Sequence, residues 1–322
     1  MFYPLKMKPV FKEMLWGGNT LRTRYGKDIP SDKTGESWEV ASHPNGQSVV
    51  ANGQLEGLTL GEAMEKMGAD LLGDKVAATC GGRFPLLVKI IDANDNLSVQ
   101  VHPNDEQAAV LEKNDPGKTE MWYVLECEEG ASLYFGVDRE LTPEEFSQRI
   151  ADNTLTDVLR RVPVHPGDVF FIEAGTIHAI GAGILICEIQ QNSNTTYRVY
   201  DYGRVGADGK PRELHVEKAK AVSRLTPNEP GAGVQPAQAV PGGKVQPLAS
   251  CKYFTTRRLD VENEMTLNVD ETSFVSLVVT QGSGEILGEN TVTFTKGDSL
   301  FVPAGSGNVT VKGSCTLIET RV

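Results

Sequence analysis

The chain has 322 residues, which is enough for a large buried core and more typical of two domains than of one. Apolar residues make up 39% and charged residues 23%, and with 33 glycines and 17 prolines the composition favours many short strands over a helical bundle. A net charge of −12 disfavours nucleic acid and anionic membranes as partners. We therefore expect a β-rich globular protein that binds neither.

The N-terminal segment MFYPLKMKPVFKEMLWGG contains no apolar stretch long enough for a signal peptide or a membrane helix. The five cysteines are scattered along the chain without a CxxC pair, which predicts reduced, mostly buried thiols. These two features predict a cytoplasmic protein. Its oligomeric state stays open between a monomer and a small homo-oligomer.

Three segments of a predicted N-terminal domain, residues 1–225, have helical patterns. Apolar spacing predicts a helix over about 59–76, with a glycine as its weak point. A second helix is predicted over 104–114, because an asparagine at its start is a suitable N-cap. A third is predicted over 140–162, where Thr142 and a glutamate three residues later form a capping signature. We expect these helices as insertions in a strand-rich domain.

The segment FPLLVKIIDA, residues 84–93, is rich in aliphatic residues and predicts a buried strand. Lys89 lies near its centre. A buried strand accommodates a lysine when its ammonium group is paired or reaches a polar cavity. Lys89 therefore indicates a polar site inside the protein.

Four side chains that can bind a metal follow in strand-like segments, namely Gln100, His102, Glu120 and His178. Side chains alternate faces along a strand, so Gln100 and His102, two positions apart, point the same way. Glu120 lies in EMWYVLE and His178 follows DVFFIEAGTI, and both segments are strand-rich and bounded by turn residues. Three converging strands would place the four side chains around one divalent ion.

The ligand types narrow the choice of ion. Two imidazoles, a carboxylate and an amide oxygen suit zinc or another late first-row divalent ion better than calcium. We expect one Zn²⁺ per chain. Either histidine alone would more often be a core or loop residue than a ligand, so the prediction depends on the combination.

Residues 226–247 are rich in proline and glycine and lack a periodic apolar pattern, which predicts a linker. Residues 248–322 alternate apolar and polar residues with frequent turns, which predicts an all-β domain.

The two predicted domains share a sequence pattern. PGDVFFIEAGTIHAIG, from Pro166, and KGDSLFVPAGSGNVTV, from Lys296, have a Gly-Asp pair, an apolar run and an Ala-Gly pair in register. The position of His178 in the first copy is occupied by Asn308 in the second. A chance likeness between two hairpins is the alternative. The pattern favours two related jelly-roll units, of which the first binds metal.

Several segments carry a family resemblance: LWGG, GESWEVASHPNG, FPLLVKIIDANDNLSVQVHPND, GKTEMWYVLE and AGTIHAIGAGILICEIQQNSNTTYRVYDYGR. In these the chain resembles type I phosphomannose isomerases of the short bacterial kind, zinc enzymes of the cupin superfamily. The resemblance covers most of residues 1–225 and is weaker beyond. SVQVHP followed by GKTE is its specific signature. Longer members of the family have an extra helical domain that this chain lacks, so the form of any lid stays open.

The resemblance implies a mainly β fold of two cupin-type jelly rolls, in which the C-terminal one is degenerate and has no metal site. It implies a zinc-dependent interconversion of mannose 6-phosphate and fructose 6-phosphate through an enediol. It places the zinc ligands on Gln100, His102, Glu120 and His178. The family's active-site arginine corresponds to Arg198, and two active-site lysines correspond to Lys118 and Lys89. We accordingly predict catalytic roles for Arg198 and Lys118, and substrate binding by Lys89 and Arg198.

A sugar phosphate needs local positive charge, and the chain as a whole has a net charge of −12. Arg198, Lys118 and Lys89 would supply that charge at the predicted site. Judged from the sequence alone, Arg198 could instead form a surface salt bridge with Asp201 or Glu188. Lys118 could likewise be a solvated turn residue.

Three functions fit these residues. The favoured one is a sugar-phosphate isomerase. The alternative is a non-catalytic metal-containing cupin that binds a sugar or sugar phosphate, although a regulator of that kind usually carries a DNA-binding element, and none is visible in the sequence. A cupin dioxygenase with iron is the third, but such a site commonly uses histidines or a facial triad.

Overall fold

The computed structural model describes residues 2–112, 115–206, 209–229, 231 and 233–322. Over these residues the fold is mainly β, as predicted, with short helices between the strands. No described helix is both long enough and apolar enough to cross a membrane.

The strands of the described residues are β1 (Leu5–Lys8), β2 (Val10–Gly18), β3 (Thr34–His43), β4 (Gly46–Gln47), β5 (Val49–Val50), β6 (Leu86–Ala93), β7 (Val99–Val101), β8 (Glu120–Cys127), β9 (Ser132–Val137), β10 (Leu159–Pro163), β11 (Val169–Ile172), β12 (His178–Ala179), β13 (Ile184–Gln191), β14 (Tyr197–Tyr200), β15 (Gln238–Val240), β16 (Gly243–Ser250), β17 (Thr255–Val261), β18 (Glu264–Val269), β19 (Val275–Leu287), β20 (Thr291–Thr295), β21 (Ser299–Val302) and β22 (Gly307–Arg321). The helices are α1 (Thr20–Thr23), α2 (Leu60–Met67), α3 (Ala69–Leu72), α4 (Asp74–Thr79), α5 (Asp105–Leu111), α6 (Pro143–Ala151) and α7 (Val216–Val222), with single 3₁₀ turns at Gly53–Leu55 and Leu155–Val158.

The strands form three sheets. The 10-stranded sheet has the order β15-β16-β17-β22-β19-β21-β1-β5, with β18 on β22 and β20 on β19. The 7-stranded sheet has the order β11-β8-β13-β6-β3-β2, with β4 on β3, and the 5-stranded sheet has the order β10-β9-β12-β7-β14. Within the described residues none of these sheets closes into a barrel, so the fold has the open, sandwich form of the predicted jelly rolls.

Strand β6 explains the aliphatic segment of the sequence. It lies between β13 and β3 in the 7-stranded sheet and is buried along its whole length. In this sheet Lys89 is directly opposite Glu188 of β13. The strand that carries Lys89 is therefore internal, and its ammonium must be satisfied inside the protein.

The first strand of the chain does not stay with the predicted N-terminal domain. Strand β1 pairs with β21 in the 10-stranded sheet, where Leu5 lies opposite Phe301. Phe84 packs against Phe274 with ring centroids 5.2 Å apart, and Phe274 stacks on Phe301 at 4.8 Å. An apolar core thus joins the N-terminal and C-terminal parts of the chain, and a boundary at residue 225 does not separate their sheets.

The predicted linker over 226–247 differs from the structure at its C-terminal end. Strands β15 and β16 form a hairpin there, with Gln238 opposite Val245 and Val240 opposite Gly243. Gly242 has a φ of 87°, so the glycines that indicate a linker in the sequence instead form the turn of this hairpin. Two residues of the predicted linker, Pro230 and Ala232, lie outside the described residues.

The helix predicted over 59–76 is broken into α2, α3 and α4. The breaks fall at Gly68 and Gly73, whose φ angles of 60° and 93° end a right-handed helix. The helix predicted over 104–114 forms as α5 after an Asn104 cap, and its last two residues, Lys113 and Asn114, lie outside the described residues.

The helix predicted over 140–162 is correct at its start and wrong at its end. Thr142 caps α6 by accepting a hydrogen bond from the backbone of Glu145. The helix ends at Ala151, and Asn153 has a left-handed φ of 58°. Residues beyond it form β10, which pairs with β9. Strand pairing, which local pattern does not reveal, decides the end of this segment.

Candidate metal and active site

The three predicted ligand strands meet where the 5-stranded and 7-stranded sheets face each other. His178 of β12 lies directly opposite Gln100 of β7, and Arg198 of β14 lies opposite Gln100 on its other side. Glu120 begins β8 in the 7-stranded sheet. Val99 and Val101 are fully buried in an apolar cluster, so the period of two directs Gln100 toward the space between the sheets.

His102, Glu120 and His178 form a buried cluster with ligand atoms within 4.8 Å of one another. Glu120 Oε1 lies 3.3 Å from His178 Nε2 and 3.8 Å from His102 Nε2. The amide nitrogen of Gln100 lies 3.4 Å from His178 Nε2. The structure therefore brings all four predicted ligands to one place.

The two imidazoles are oriented for metal binding. Nδ1 of His102 lies 2.8 Å from the carbonyl oxygen of Thr195, and Nδ1 of His178 lies 2.8 Å from that of Thr176. Each Nδ1 therefore carries the proton, which leaves the Nε2 lone pairs directed at Glu120. Burial lowers the pKa of His102 and takes the pKa of His178 down to about 4, so both rings are neutral at pH 7.

The surroundings of the Glu120 carboxylate suit a cation. Both of its carboxylate oxygens are buried; Oε2 lies 2.9 Å from the Lys118 ammonium, and Oε1 accepts no hydrogen bond from any described residue. Burial raises the pKa of this carboxyl, while the Lys118 ammonium opposes the shift. A buried carboxylate oxygen without a donor, facing two neutral imidazoles, fits a divalent cation. The residues present thus match the predicted metal site.

Lys118 is buried against this cluster and does not extend into solvent. Its Nζ lies 2.9 Å from Glu120 Oε2 and 3.3 Å from His102 Nε2, and the residue is 4% exposed. The alternative of a solvated turn residue is excluded by this burial.

Lys89 lies in the same wall and has two carboxylate partners. Its Nζ is 3.1 Å from Glu188 Oε2 and 3.7 Å from Glu36 Oε2. Glu188 also accepts a hydrogen bond of 3.0 Å from Trp122 Nε1. Sequence reasoning did not assign Glu188 to the site. Its isolated charge in the apolar run GILICEI, which resembles that of Lys89, was the available signal.

Arg198 has no carboxylate partner within ion-pair distance among the described residues. It donates hydrogen bonds to Ser98 Oγ at 3.3 Å and to the Glu213 carbonyl oxygen at 3.0 Å. Asp201, its alternative partner from the sequence, instead accepts hydrogen bonds from Arg204 and Arg212. Burial, followed by the nearby Arg212, lowers the pKa of Arg198. Its guanidinium charge is therefore not neutralised by an adjacent carboxylate.

A cavity of about 290 Å³ lies beside the cluster. Gln100 and Trp16 are part of its wall. Four cationic side chains and two carboxylates also line it, namely Lys89, Lys118, Arg198, Arg212, Glu36 and Glu188. The excess of positive charge suits an anionic small molecule, although the whole chain is acidic.

The chain is similar to known proteins over most of its length. The family model "Phosphomannose isomerase type I, catalytic domain" matches residues 4–128, and "Mannose-6-phosphate isomerase, cupin domain" matches residues 244–322. The mannose-6-phosphate isomerase ManA of Bacillus subtilis is 43% identical over 320 residues, which is 99% of each chain. A mannose-6-phosphate isomerase of Streptococcus mutans is 38% identical over 94% of this chain and 93% of its own length.

A solved structure is also similar over the full length. The crystal structure of the mannose 6-phosphate isomerase from Bacillus subtilis has a TM-score of 0.92 and 36% identity, and the alignment covers 99% of each chain. Because the similarity in sequence and in fold extends over the whole chain, this protein belongs to the type I phosphomannose isomerase family.

Proposed function

We propose that this chain is a mannose-6-phosphate isomerase with one zinc ion, held by Gln100, His102, Glu120 and His178. The buried cluster of two neutral imidazoles and one carboxylate, beside a cavity with excess positive charge, carries the proposal. Membership of the family supports the reaction, which interconverts mannose 6-phosphate and fructose 6-phosphate.

This reaction moves a proton between C2 and C1 of the sugar through an enediol, so the site must stabilise negative charge on O1 and O2. When bound, the zinc ion would supply Lewis-acid polarisation of these sugar oxygens. His102 and His178 contribute no charge, and Glu120 contributes one negative charge. The ligand set therefore does not cancel the charge of a divalent ion.

We assign a catalytic role to Lys118. Its ammonium contacts the ligand cluster on one side and lines the cavity on the other. From this position it can stabilise charge on a sugar oxygen or give a proton to it. Its burial keeps water away from this contact, which strengthens the interaction.

Arg198 is assigned to the substrate. Its planar guanidinium can donate two hydrogen bonds to one phosphate group, and it has no described carboxylate that competes for them. Arg212 lines the same cavity and adds to the positive charge there. Lys89 already pairs with Glu188 and Glu36, so we assign it to contacts with sugar hydroxyls instead of the phosphate.

The test is isomerisation of mannose 6-phosphate by the purified protein before chelation, after chelation, and after zinc is added back. Activity that disappears with the chelator and returns with zinc is the expected result. Calcium, which prefers all-oxygen shells, is the control ion and should not restore activity. Unphosphorylated mannose is the control substrate and should turn over far more slowly.

A different outcome would point to the alternative function. If zinc-loaded protein binds mannose 6-phosphate in calorimetry and shows no turnover in either direction, the chain is a non-catalytic sugar-phosphate-binding cupin.

A further inference from the structure

The loop that carries Lys118 is fixed to the start of α5. The backbone N–H of Lys118 donates to the Pro103 carbonyl oxygen at 2.9 Å, and that of Gly117 donates to Asp105 Oδ1 at 3.1 Å. A Cβ on Gly117 would lie 2.4 Å from the carbonyl carbon of Asn104, so the two backbones are in direct contact. The position of this loop therefore depends on Asp105 and its neighbours.

Asp105 holds the loop on both sides of Lys118. Its Oδ1 also accepts a hydrogen bond of 2.9 Å from Gln191 Nε2. Gln191 Oε1 in turn accepts a hydrogen bond of 2.9 Å from the backbone N–H of Thr119. The residues before and after Lys118 are thus bound to one carboxylate, directly or through one side chain.

The other oxygen of Asp105 is bound from the turn between β16 and β17 of the 10-stranded sheet. Asp105 Oδ2 accepts a hydrogen bond of 2.5 Å from Tyr253 Oη and one of 3.3 Å from Lys252 Nζ. Burial alone would raise the pKa of Asp105, but the hydrogen bonds from Tyr253, Gln191 and Lys252 outweigh it and lower the pKa. Asp105 is therefore a carboxylate at pH 7 and a strong acceptor.

The turn that carries Tyr253 is anchored in the protein core. Phe254 is 1% exposed and packs against Phe171 with ring centroids 6.4 Å apart. The backbone N–H of Cys251 donates to the Phe254 carbonyl oxygen at 2.9 Å and closes the turn. Tyr253 consequently presents its hydroxyl group from a fixed position.

We infer that the C-terminal part of the chain, which carries Asn308 where the first repeat carries His178, contributes to the active site by positioning Lys118 through Tyr253 and Asp105. The inference rests on the proposed function. Tyr253 and Asp105 are positioning residues, since neither is part of the cavity wall. A displacement of about 1 Å at a reacting group can cost on the order of 100-fold in rate, so a hydrogen bond behind the loop can affect turnover.

The variant Tyr253→Phe removes the hydroxyl group and keeps the ring. We expect kcat to fall about tenfold with little change in KM, because Lys118 is assigned to the chemical step. Zinc content should match that of the wild type. Hydrogen exchange should accelerate at the amides of Gly117 and Thr119, whose acceptors are the Asp105 and Gln191 side chains.

The matched control is Lys296→Met. Lys296 also joins the 10-stranded sheet to the 7-stranded sheet, through a 2.9 Å contact with Glu126, and it is not part of the hydrogen-bonded group around Asp105. We expect this variant to leave kcat and the exchange of the Lys118 loop unchanged. Asp105→Asn, which removes the charge that binds the loop, is a second variant. If Tyr253→Phe does not fold, Asp105→Asn should show the same tenfold fall in kcat and the same faster exchange.

A double variant distinguishes positioning from general stabilisation. In a Lys118→Met background, Tyr253→Phe should change kcat by less than about twofold, because the residue through which it acts is already absent. A full tenfold loss in that background would overturn the inference. So would a Tyr253→Phe protein with normal kcat and normal exchange. Zinc-loaded wild type without isomerase activity would reject the proposed function instead, and the exchange measurement would then test the positioning alone.

Discussion

The Nζ atom of Lys89 lies 3.1 Å from Glu188 Oε2 across the β6–β13 pair, and their side chains are 5% and 3% exposed. Burial alone would lower the pKa of Lys89, but Glu188 and then Glu36 outweigh it and raise the pKa. The lysine is therefore charged. A buried ion pair thus forms part of the cavity wall.

Breaking this pair should destabilise the protein. We predict that Lys89→Met lowers the free energy of unfolding by roughly 3–5 kcal/mol, because it leaves Glu188 buried without its cation. Urea denaturation of the metal-free protein measures the change. The double variant Lys89→Met/Glu188→Gln should recover part of the loss, since the charge of Glu188, the more buried of the two carboxylate partners of Lys89, is then removed as well.

The control for this measurement is a partly exposed ion pair. Lys296→Met breaks the contact with Glu126, whose side chain is 22% exposed, and should change the stability by no more than about 1 kcal/mol. A Lys89→Met protein as stable as this control would contradict the prediction.

Removal of either ligand histidine should abolish metal binding. We predict that His102→Ala and His178→Ala each lose zinc and isomerase turnover together, because each leaves the cluster one imidazole short. Elemental analysis of dialysed protein and a coupled activity assay check the two losses. His165→Ala is the matched control, since that side chain is 78% exposed and should be dispensable. Normal zinc content with full activity in either ligand variant would refute the site.

Substitution of Arg198 should weaken the use of the substrate without changing the zinc content. We predict that Arg198→Ala keeps the zinc content of the wild type while kcat/KM for mannose 6-phosphate falls roughly 10- to 100-fold, since charge-assisted hydrogen bonds to phosphate are lost. Inorganic phosphate should also become a weaker competitive inhibitor. Arg139→Met, which breaks a surface contact with Glu145, is the control and should behave as the wild type. A near-normal rate in Arg198→Ala would remove this residue from the mechanism.

The sequence predicts those parts of the site in which the pattern of neighbouring residues decides where a side chain lies. Gln100 and His102 share a face because strand side chains alternate, and α5 begins where Asn104 can cap it. Lys89 is noticeable because a charge interrupts an apolar run. The prediction that His102, Glu120 and His178 converge rests on the family resemblance more than on their spacing in the sequence.

The contacts that the sequence does not predict join segments far apart in the chain. Tyr253 bonds to Asp105, 148 positions away, and no local signal marks either residue as a partner of the other. The end of α6 is likewise decided by the pairing of β10 with β9. Such contacts depend on how the sheets face each other, which no window of sequence contains.

Asp201 binds two arginines, of which Arg212 is part of the cavity wall. Its carboxylate accepts hydrogen bonds from Arg204 at 2.6 Å and from Arg212 at 2.7 Å. Burial alone would raise the pKa of Asp201, but these hydrogen bonds outweigh it and lower the pKa. An aspartate with a lowered pKa stabilises the folded state when it is ionised.

This pKa shift predicts a pH-dependent effect of Asp201→Asn. The ionised Asp201 carboxylate stabilises the folded state fully above the pKa of an unfolded aspartate, about 3.9. This stabilisation is lost as the pH falls through the lower pKa that Asp201 has in the folded state. Urea denaturation should therefore show Asp201→Asn less stable than the wild type at pH 7, with a difference that is constant down to about pH 5 and shrinks below pH 4. Asp32→Asn, at an exposed pair with Arg22, should show little difference at any pH. An Asp201→Asn difference that is the same at pH 3 and pH 7 would mean that the charge of Asp201 does not stabilise the fold, and that its shape alone holds Arg212 in the cavity wall.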